Sequence, residues 1–379
     1  MRLALAAILL ATPAHAAEHL LVGLDNKLFF EAGGPRNGAP GADAVLVVDI
    51  TNPLKPAIAG SLPLPNSVAG PPTNLQISPD GKLGVVASSL VNQPKGDAFA
   101  AVPDDKLHVL DLSATPPRLV ETLTVGRMPS GLAMNREGTL LLIANRAGKS
   151  VSVLSVAGTT VKLLADVPVD DEAAAVAITP DGARAFVAKN LAHKVGVLRI
   201  EGTSVTYDKA WDMPVGYGVY NLDVSTDGRL VLAANTGVGG DGHADTVSVI
   251  DARATPPRVL DHVTVGDGPE GLAVSPDGRH AIAVLLRGTA APHNAWSYGA
   301  KGAVVLLGIA DGRVRVQGEA EAGNLPEGVA FSADGRHAFV GNYVDKTLQV
   351  FRVEGARITD TGVSLALPGQ PASVRGVAR

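Results

Sequence analysis

Six near-copies of one short pattern limit what this chain can fold into. They read TNLQISPDGKLGVVAS from Thr73, SGLAMNREGTLLLIAN from Ser130, AAVAITPDGARAFVAK from Ala174, YNLDVSTDGRLVLAAN from Tyr220, EGLAVSPDGRHAIAVL from Glu270 and EGVAFSADGRHAFVGN from Glu327. Their turn glycines, Gly81, Gly138, Gly182, Gly228, Gly278 and Gly335, are 57, 44, 46, 50 and 57 residues apart. A unit of that length cannot bury its apolar face alone and must stack on its neighbours. Each copy alternates apolar and polar residues on both sides of an Asp-Gly or Glu-Gly turn, the pattern of a hairpin of half-buried strands. Two further strand-like runs follow each copy, as in HAFVGN, TLQVFRV and ITDTGVSLAL after Gly335. One unit is therefore four antiparallel strands, a to d.

The two ends supply a seventh unit. QPASVRGVAR (370–379) aligns on its proline with LPEGVAFSAD and gives a lone strand a. Near the other end, HLLVGLD, AVLVVDI and AIAGSLPL read as strands b, c and d. Sharing one blade between the ends closes the ring and removes its free edges. The expected fold is all-β, a seven-bladed β-propeller over residues 17–379. The turn ATPPR occurs verbatim at Ala114 and Ala254, as expected from duplication of one unit.

The run Val-Gly-x-x-Pro-x-Gly-φ-Ala-φ-Ser-Pro-Asp-Gly is followed by ANRAGKSVSVLSV or ANTGVGGDGHADTVSVID. It resembles the YVTN-type β-propeller repeat and, more loosely, the seven-bladed propeller lactonase superfamily. The resemblance spans 18–379. It implies the fold, because its motif consists of turn and core residues, and it raises lactone hydrolysis as one activity to weigh. Blade two departs from the motif, with NREG at Asn135 where other blades have SPDG.

Residues 1–16 read as a secretory signal peptide: Arg2, an apolar run over 3–10, and Ala14-His15-Ala16 as the cleavage site. The expected location is periplasmic or secreted, with no membrane-spanning segment. Without Arg2 the chain has 31 Lys and Arg against 37 Asp and Glu, a net −6. That acidity disfavours nucleic acid as a partner. The absence of cysteine excludes thiol nucleophiles, cysteine-ligated metals and covalent c-type haem.

Turns a–b and c–d lie on one face of such a disc, loops b–c and d–a on the other. Long b–c loops are expected at 28–43, 90–105, 236–245 and 287–301. Insertions confined to one face mark a binding face. Its d–a loops carry Asp170, Asp171, Glu172, Asp267, Glu270 and Glu327, with Tyr217, Tyr220, His243, His293, Trp296 and Tyr298 nearby. Two aligned strand-a positions are expected to share one side of the strand. One reads Gln76, Ala133, Ala177, Asp223, Ala273, Ala330 and Arg375; the other Asn74, Gly131, Ala175, Asn221, Gly271, Gly328 and Ser373. Small residues suit crowded inner strands, so the polar exceptions are the candidate ligand residues: Asn74, Gln76, Asn221, Asp223 and Arg375, with Glu270, Glu327, His293 and Trp296 on the loop face. Either Asp223 and Arg375 project into the channel, or the inner polar residues are structural.

No cofactor or metal is expected. The G-x-G-x-x-G run at 237–242 precedes a strand, whereas pyrophosphate binding needs a helix N-terminus. Asp241, His243 and Asp245 alternate along one loop without converging. Neither G-x-S-x-G nor H-E-x-x-H occurs. The leading expectation is a monomeric binding or scaffold module that presents the loop face to a protein or small molecule. The alternative is a lactone hydrolase at the channel mouth, with Asp223 or Glu270 as base and Arg375 as the cation for the oxyanion. An electron-transfer partner subunit is a third class, without a haem or metal motif to support it.

Overall fold

The computed structural model describes residues 17–67 and 69–379; the signal-peptide reading lies outside them. They form seven four-stranded antiparallel blades, and the single turn of 3-10 helix at Lys209–Trp211 is the only helical element among the described residues. Blade seven pairs Pro371–Arg375 with His19–Leu24, then Ala44–Asp49 and Ala57–Pro63, so the two ends share it as expected. In blade three the outer strand is split: Ser204–Tyr207 and Met213–Pro214 both pair with strand c.

The a–b turn is built from its own sequence. In Ser-x-Asp-Gly the serine hydroxyl donates to the aspartate, at 2.7 Å from Ser225 to Asp227 and 2.6 Å from Ser275 to Asp277. The same aspartate accepts the amide two residues on, as from Arg229 and Arg279. The next glycine takes a positive φ, +69° at both Gly228 and Gly278, where a Cβ would be strained. Blade two keeps this turn without the serine, because Asn135 Oδ1 accepts the amides of both Thr139 and Leu140.

The core is not one mass. It is seven apolar seams, each between two neighbouring blades, and a smaller eighth cluster of Leu286, Leu325, Tyr343 and Ala372. Phe186 and Val197 of blade three meet Leu222 and Val231 of blade four; Ile282 and Leu306 of blade five meet Val329 and Phe351 of blade six. Full burial of each such side chain stabilises by about 1.5–3 kcal/mol. Strand a is short and alanine- or glycine-rich because it lies where seven blades converge. At Gly271, an added Cβ would fall 2.1 Å from the Glu327 carbonyl oxygen of the next blade.

One expectation about the loops is corrected. Residues 90–105 are not a loop: strands b and c of blade one run on as Leu83–Lys95 and Ala98–Asp111, turning at Gly96 with φ +60°. Leu90 and Phe99 share one face of this arm and Val91 and Val102 the other, and Asn92 anchors the arm by donating to the carbonyls of Lys27 and Gly38. The segment at 28–43 also carries a small hairpin, Leu28–Glu31 with Gly34–Asn37.

Candidate functional site

All seven members of the Gln76–Arg375 column line one cavity on the propeller axis, of about 470 Å³. It opens among the a–b turns, since Pro79, Arg136, Pro180, Thr226 and Pro276 form its rim. Strand parity thus placed this column on the channel. The three polar members also tie blades together. Gln76 Oε1 accepts the Met134 amide of the next blade at 2.9 Å. Asp223 accepts the Val224 amide at 2.9 Å and, across the seam, the Val274 amide at 2.8 Å. Arg375 donates to the carbonyls of Leu132, at 2.5 Å, and Thr73, at 3.5 Å. Burial raises the Asp223 carboxyl above its ordinary range, against the pull of Arg375 and the two amides. Burial lowers Arg375, and Asp223 opposes that shift.

Two further arginines reach this cavity, Arg136 after strand a of blade two and Arg379 beyond strand a of blade seven. Both are exposed by solvent-accessible surface. Burial also lowers Arg379, against the pull of Glu18 and Asp223. Three arginines therefore line a cavity whose one acidic side chain, Asp223, already accepts two amides. Sequence reasoning missed Arg136 and Arg379 because neither lies in an aligned strand column.

Asn74 and Asn221 do not reach this cavity. Asn74 is 2% exposed and donates to Asn66 and to the Ala87 carbonyl. Asn221 is fully buried, its Oδ1 on the Leu222 amide. Asn74 directly precedes the short strand a of blade one, Leu75–Ile77, and a β-bulge lies near the start of strand a in the other six blades. In blade five Pro269 pairs with Leu285 but Gly271 pairs with Val284, and the same shift occurs in blades two, three, four, six and seven. An extra residue there re-aims the side chains around it.

The bulge positions build a second cluster at the loop-face end of the axis, from Tyr220, Glu270 and Glu327. Arg146 lies over the Tyr220 ring, 5.5 Å from its centroid, and pairs with Glu172 at 3.1 Å. Burial pushes the Glu270 carboxyl up to about 7, against the pull of Arg146. Burial, then Glu270 and Asp25, hold Glu327 well above the carboxylate range, and its Oε2 has no hydrogen-bond partner. Arg146 was missed too, although a signal exists. In three blades a polar residue aligned with Arg146 donates to the carbonyl at or near the start of the next strand a: Ser89 to Pro129, Asn190 to Val219, Thr236 to Pro269. The other blades place Asp25, Leu286 and Tyr343 there, so Arg146 is the one cation of the column.

A folded state that binds protons more tightly than the unfolded chain gains stability as pH falls. Both glutamates are raised, so their burial costs most above pH 7, and the cost disappears as pH falls toward the unfolded carboxylate range. Glu327→Gln is therefore expected to stabilise the protein at pH 8 by on the order of 1–3 kcal/mol and by much less at pH 5. Denaturant titrations at the two pH values check this; an equal effect at both would refute it.

His293 and Trp296 lie elsewhere, in the 287–301 loop. The His293 ring stacks on Tyr298 at 4.3 Å between centroids, and Trp296 is 82% exposed. The candidate residues thus occupy three places: Gln76, Asp223 and Arg375 at the axial cavity, Glu270 and Glu327 at the opposite end, and His293 and Trp296 on the loop face.

No protein-family model and no curated relative matches the sequence. Solved structures do share the architecture. The periplasmic gluconolactonase of Pseudomonas aeruginosa is 20% identical, with a TM-score of 0.67 over 96% of this chain and 99% of that one. A candidate 6-phosphogluconolactonase of Bacteroides uniformis is 16% identical, with a TM-score of 0.70 over 95% and 99%. A Desulfotomaculum acetoxidans protein of unknown function is 13% identical, with a TM-score of 0.69 over 95% and 99%. At these identities the likeness shows the seven-bladed fold alone.

Proposed function

We propose that this propeller binds a small organic anion, such as a hydroxy acid or sugar acid, in the axial cavity among the a–b turns. The observation that carries the reading is the cavity's lining: Arg136, Arg375 and Arg379 line it, with Asp223 as the one acidic side chain among them. A concave site with a few convergent polar groups is the usual form of a small-ligand site. A guanidinium fork matches carboxylate and phosphate oxygens. Arg375 also holds two backbone carbonyls, so its removal would disturb folding. Arg136 and Arg379 are the cleaner probes.

Lactone hydrolysis is a second reading, at the other end of the axis. Glu270, held near neutral pKa beside Arg146, has the make-up of a general base next to a cation for a developing oxyanion. The shared fold with the periplasmic gluconolactonase of Pseudomonas aeruginosa supports this reading. One experiment separates the readings. Calorimetry with gluconate and 6-phosphogluconate is expected to show binding that Arg136→Ala with Arg379→Ala weakens by about 10- to 100-fold, the worth of one or two charged hydrogen bonds. No binding of either acid by the wild type would refute the anion reading. Turnover of the corresponding lactones that Glu270→Gln abolishes, with the arginine pair dispensable, would establish the second.

A further inference from the structure

The four most exposed large apolar side chains among the described residues are Trp296 at 82%, Val238 at 72%, Leu191 at 64% and Tyr217 at 59%; the others do not exceed 48%. All four stand on the loop face of consecutive blades, three to five, in b–c or d–a loops. The chain joins them into one strip. The His193 ring lies 4.2 Å from that of Tyr217, and the Tyr217 carbonyl accepts the Gly237 amide at 3.1 Å. Ser297 donates to the Gly240 carbonyl at 2.9 Å, and the Trp296 ring rests against Gly242, where a Cβ would fall 2.7 Å from the ring.

The strip is braced. Asp267 accepts the amides of Gly240 and Gly242, Asp245 that of Gly268, and Asp171 that of Ala192. These half-buried carboxylates hold the loops and lend the strip its acidic character. Segments 170–172, 190–194, 236–245, 266–270 and 286–302 contain seven Asp and Glu against three Lys and Arg; with Glu270 buried, Glu172 paired with Arg146 and Asp170 paired with Lys209, the acids that remain are Asp171, Asp241, Asp245 and Asp267. One of the three basic residues, Arg287, is already paired with Glu319 at 2.7 Å. Aromatic faces attract cations, and the protein uses such contacts internally, with Arg199 lying 4.1 Å from the centroid of the Trp211 ring.

We infer that this three-blade strip docks a lysine- or arginine-rich segment of a partner protein, with Trp296 and Tyr217 as the aromatic anchors. The interaction is separate from the axial cavity and does not depend on the anion reading. Charge complementarity favours the cationic segment, and rigidly presented Trp and Tyr are the residues that dominate interface energetics.

The test uses the full chain and fluorescein-labelled peptides of twelve residues, alternating lysine and serine or glutamate and serine, followed by anisotropy. The lysine peptide is expected to bind, the glutamate peptide not, and the binding to weaken as salt rises from 50 to 300 mM. Trp296→Ala, with an unchanged melting temperature, is expected to cost about tenfold in affinity. Lysine-peptide binding that ignores Trp296→Ala would reduce the effect to bulk charge and overturn the proposal. Absence of lysine-peptide binding would overturn it as well. So would binding of cellohexaose in its place, or self-association in sedimentation that Trp296→Ala abolishes, since those make the strip a saccharide platform or a dimer face.

Discussion

Removing residues 370–379 is expected to destabilise the whole molecule by about 5 kcal/mol or more, comparable with the entire stability of many domains. The segment supplies strand a of blade seven, which pairs Leu21 with Arg375 and Val22 with Val374. It also stitches the last blade to the first. The Ile77 amide donates to the Gly376 carbonyl at 3.2 Å, and the Ala378 amide to the Ile77 carbonyl at 2.8 Å. Val374 and Ala378 complete the seams of blades six with seven and one with two. Lost apolar burial at Val374, Ala372 and Ala378 accounts for about 3–4 kcal/mol. The strand beginning at His19 would then show an unpaired edge to the channel, an invitation to aggregation. Thermal melting and sedimentation of the truncated chain check this. A monomer melting within a few degrees of wild type would contradict the shared blade.

The fold was legible because its determinants are local and repeated. Six Ser-x-Asp-Gly or equivalent turns make their own hydrogen bonds, so their spacing alone counted the blades. The seventh was visible because a strand a stopped where its turn should be. The site was less legible, for a reason that can be located. Alternation assigns a side to each strand residue only while the register holds. It held at Gln76, Asp223 and Arg375, which reach the axial cavity. At the bulge, six blades break the period, and Tyr220, Glu270 and Glu327 gather there; Asn74 and Asn221 are instead held inside the wall by local hydrogen bonds, Asn74 donating to Asn66 and the Ala87 carbonyl and Asn221 accepting the Leu222 amide. Glu270 and Glu327, read from the sequence as rim acids, form instead a buried pair. The arginines at the cavity rim escaped notice because a turn and a post-strand segment deliver them, and neither has a period.

The same column logic exposes a strained choice in blade three. Strand b ends in asparagine in blades two, four and six, and that amide satisfies strands c and d: Asn145 donates to Ser152 and Asp166, Asn235 to Ser248, Asn342 to Gln349. Blade three has Lys189 instead, only 3% exposed in its side chain. A buried ammonium needs a counter-charge. The outer strand supplies one by breaking at Tyr207, turning through Lys209–Trp211 and rejoining strand c at Met213. That detour brings Asp212 to 2.7 Å and the Tyr207 hydroxyl to 2.8 Å from Lys189 Nζ, and the hydroxyl donates to Asp212 at 2.7 Å. Burial, then Asp212, raises the Tyr207 phenol well above its ordinary value, which keeps it a donor. Asp212→Ala leaves the ammonium without its partner and is expected to cost about 3–5 kcal/mol, the usual penalty for breaking a buried pair. Tyr207→Phe, which removes one hydroxyl, is expected to cost about 1–2 kcal/mol. Lys189→Met combined with Asp212→Leu removes both charges together and is expected to recover most of the single-variant loss, since apolar replacement of a buried pair is often neutral. Urea unfolding of the three variants decides between this account and a simpler one. If Asp212→Ala unfolds within 1 kcal/mol of wild type, Lys189 finds water there, and the detour of the outer strand has some other cause.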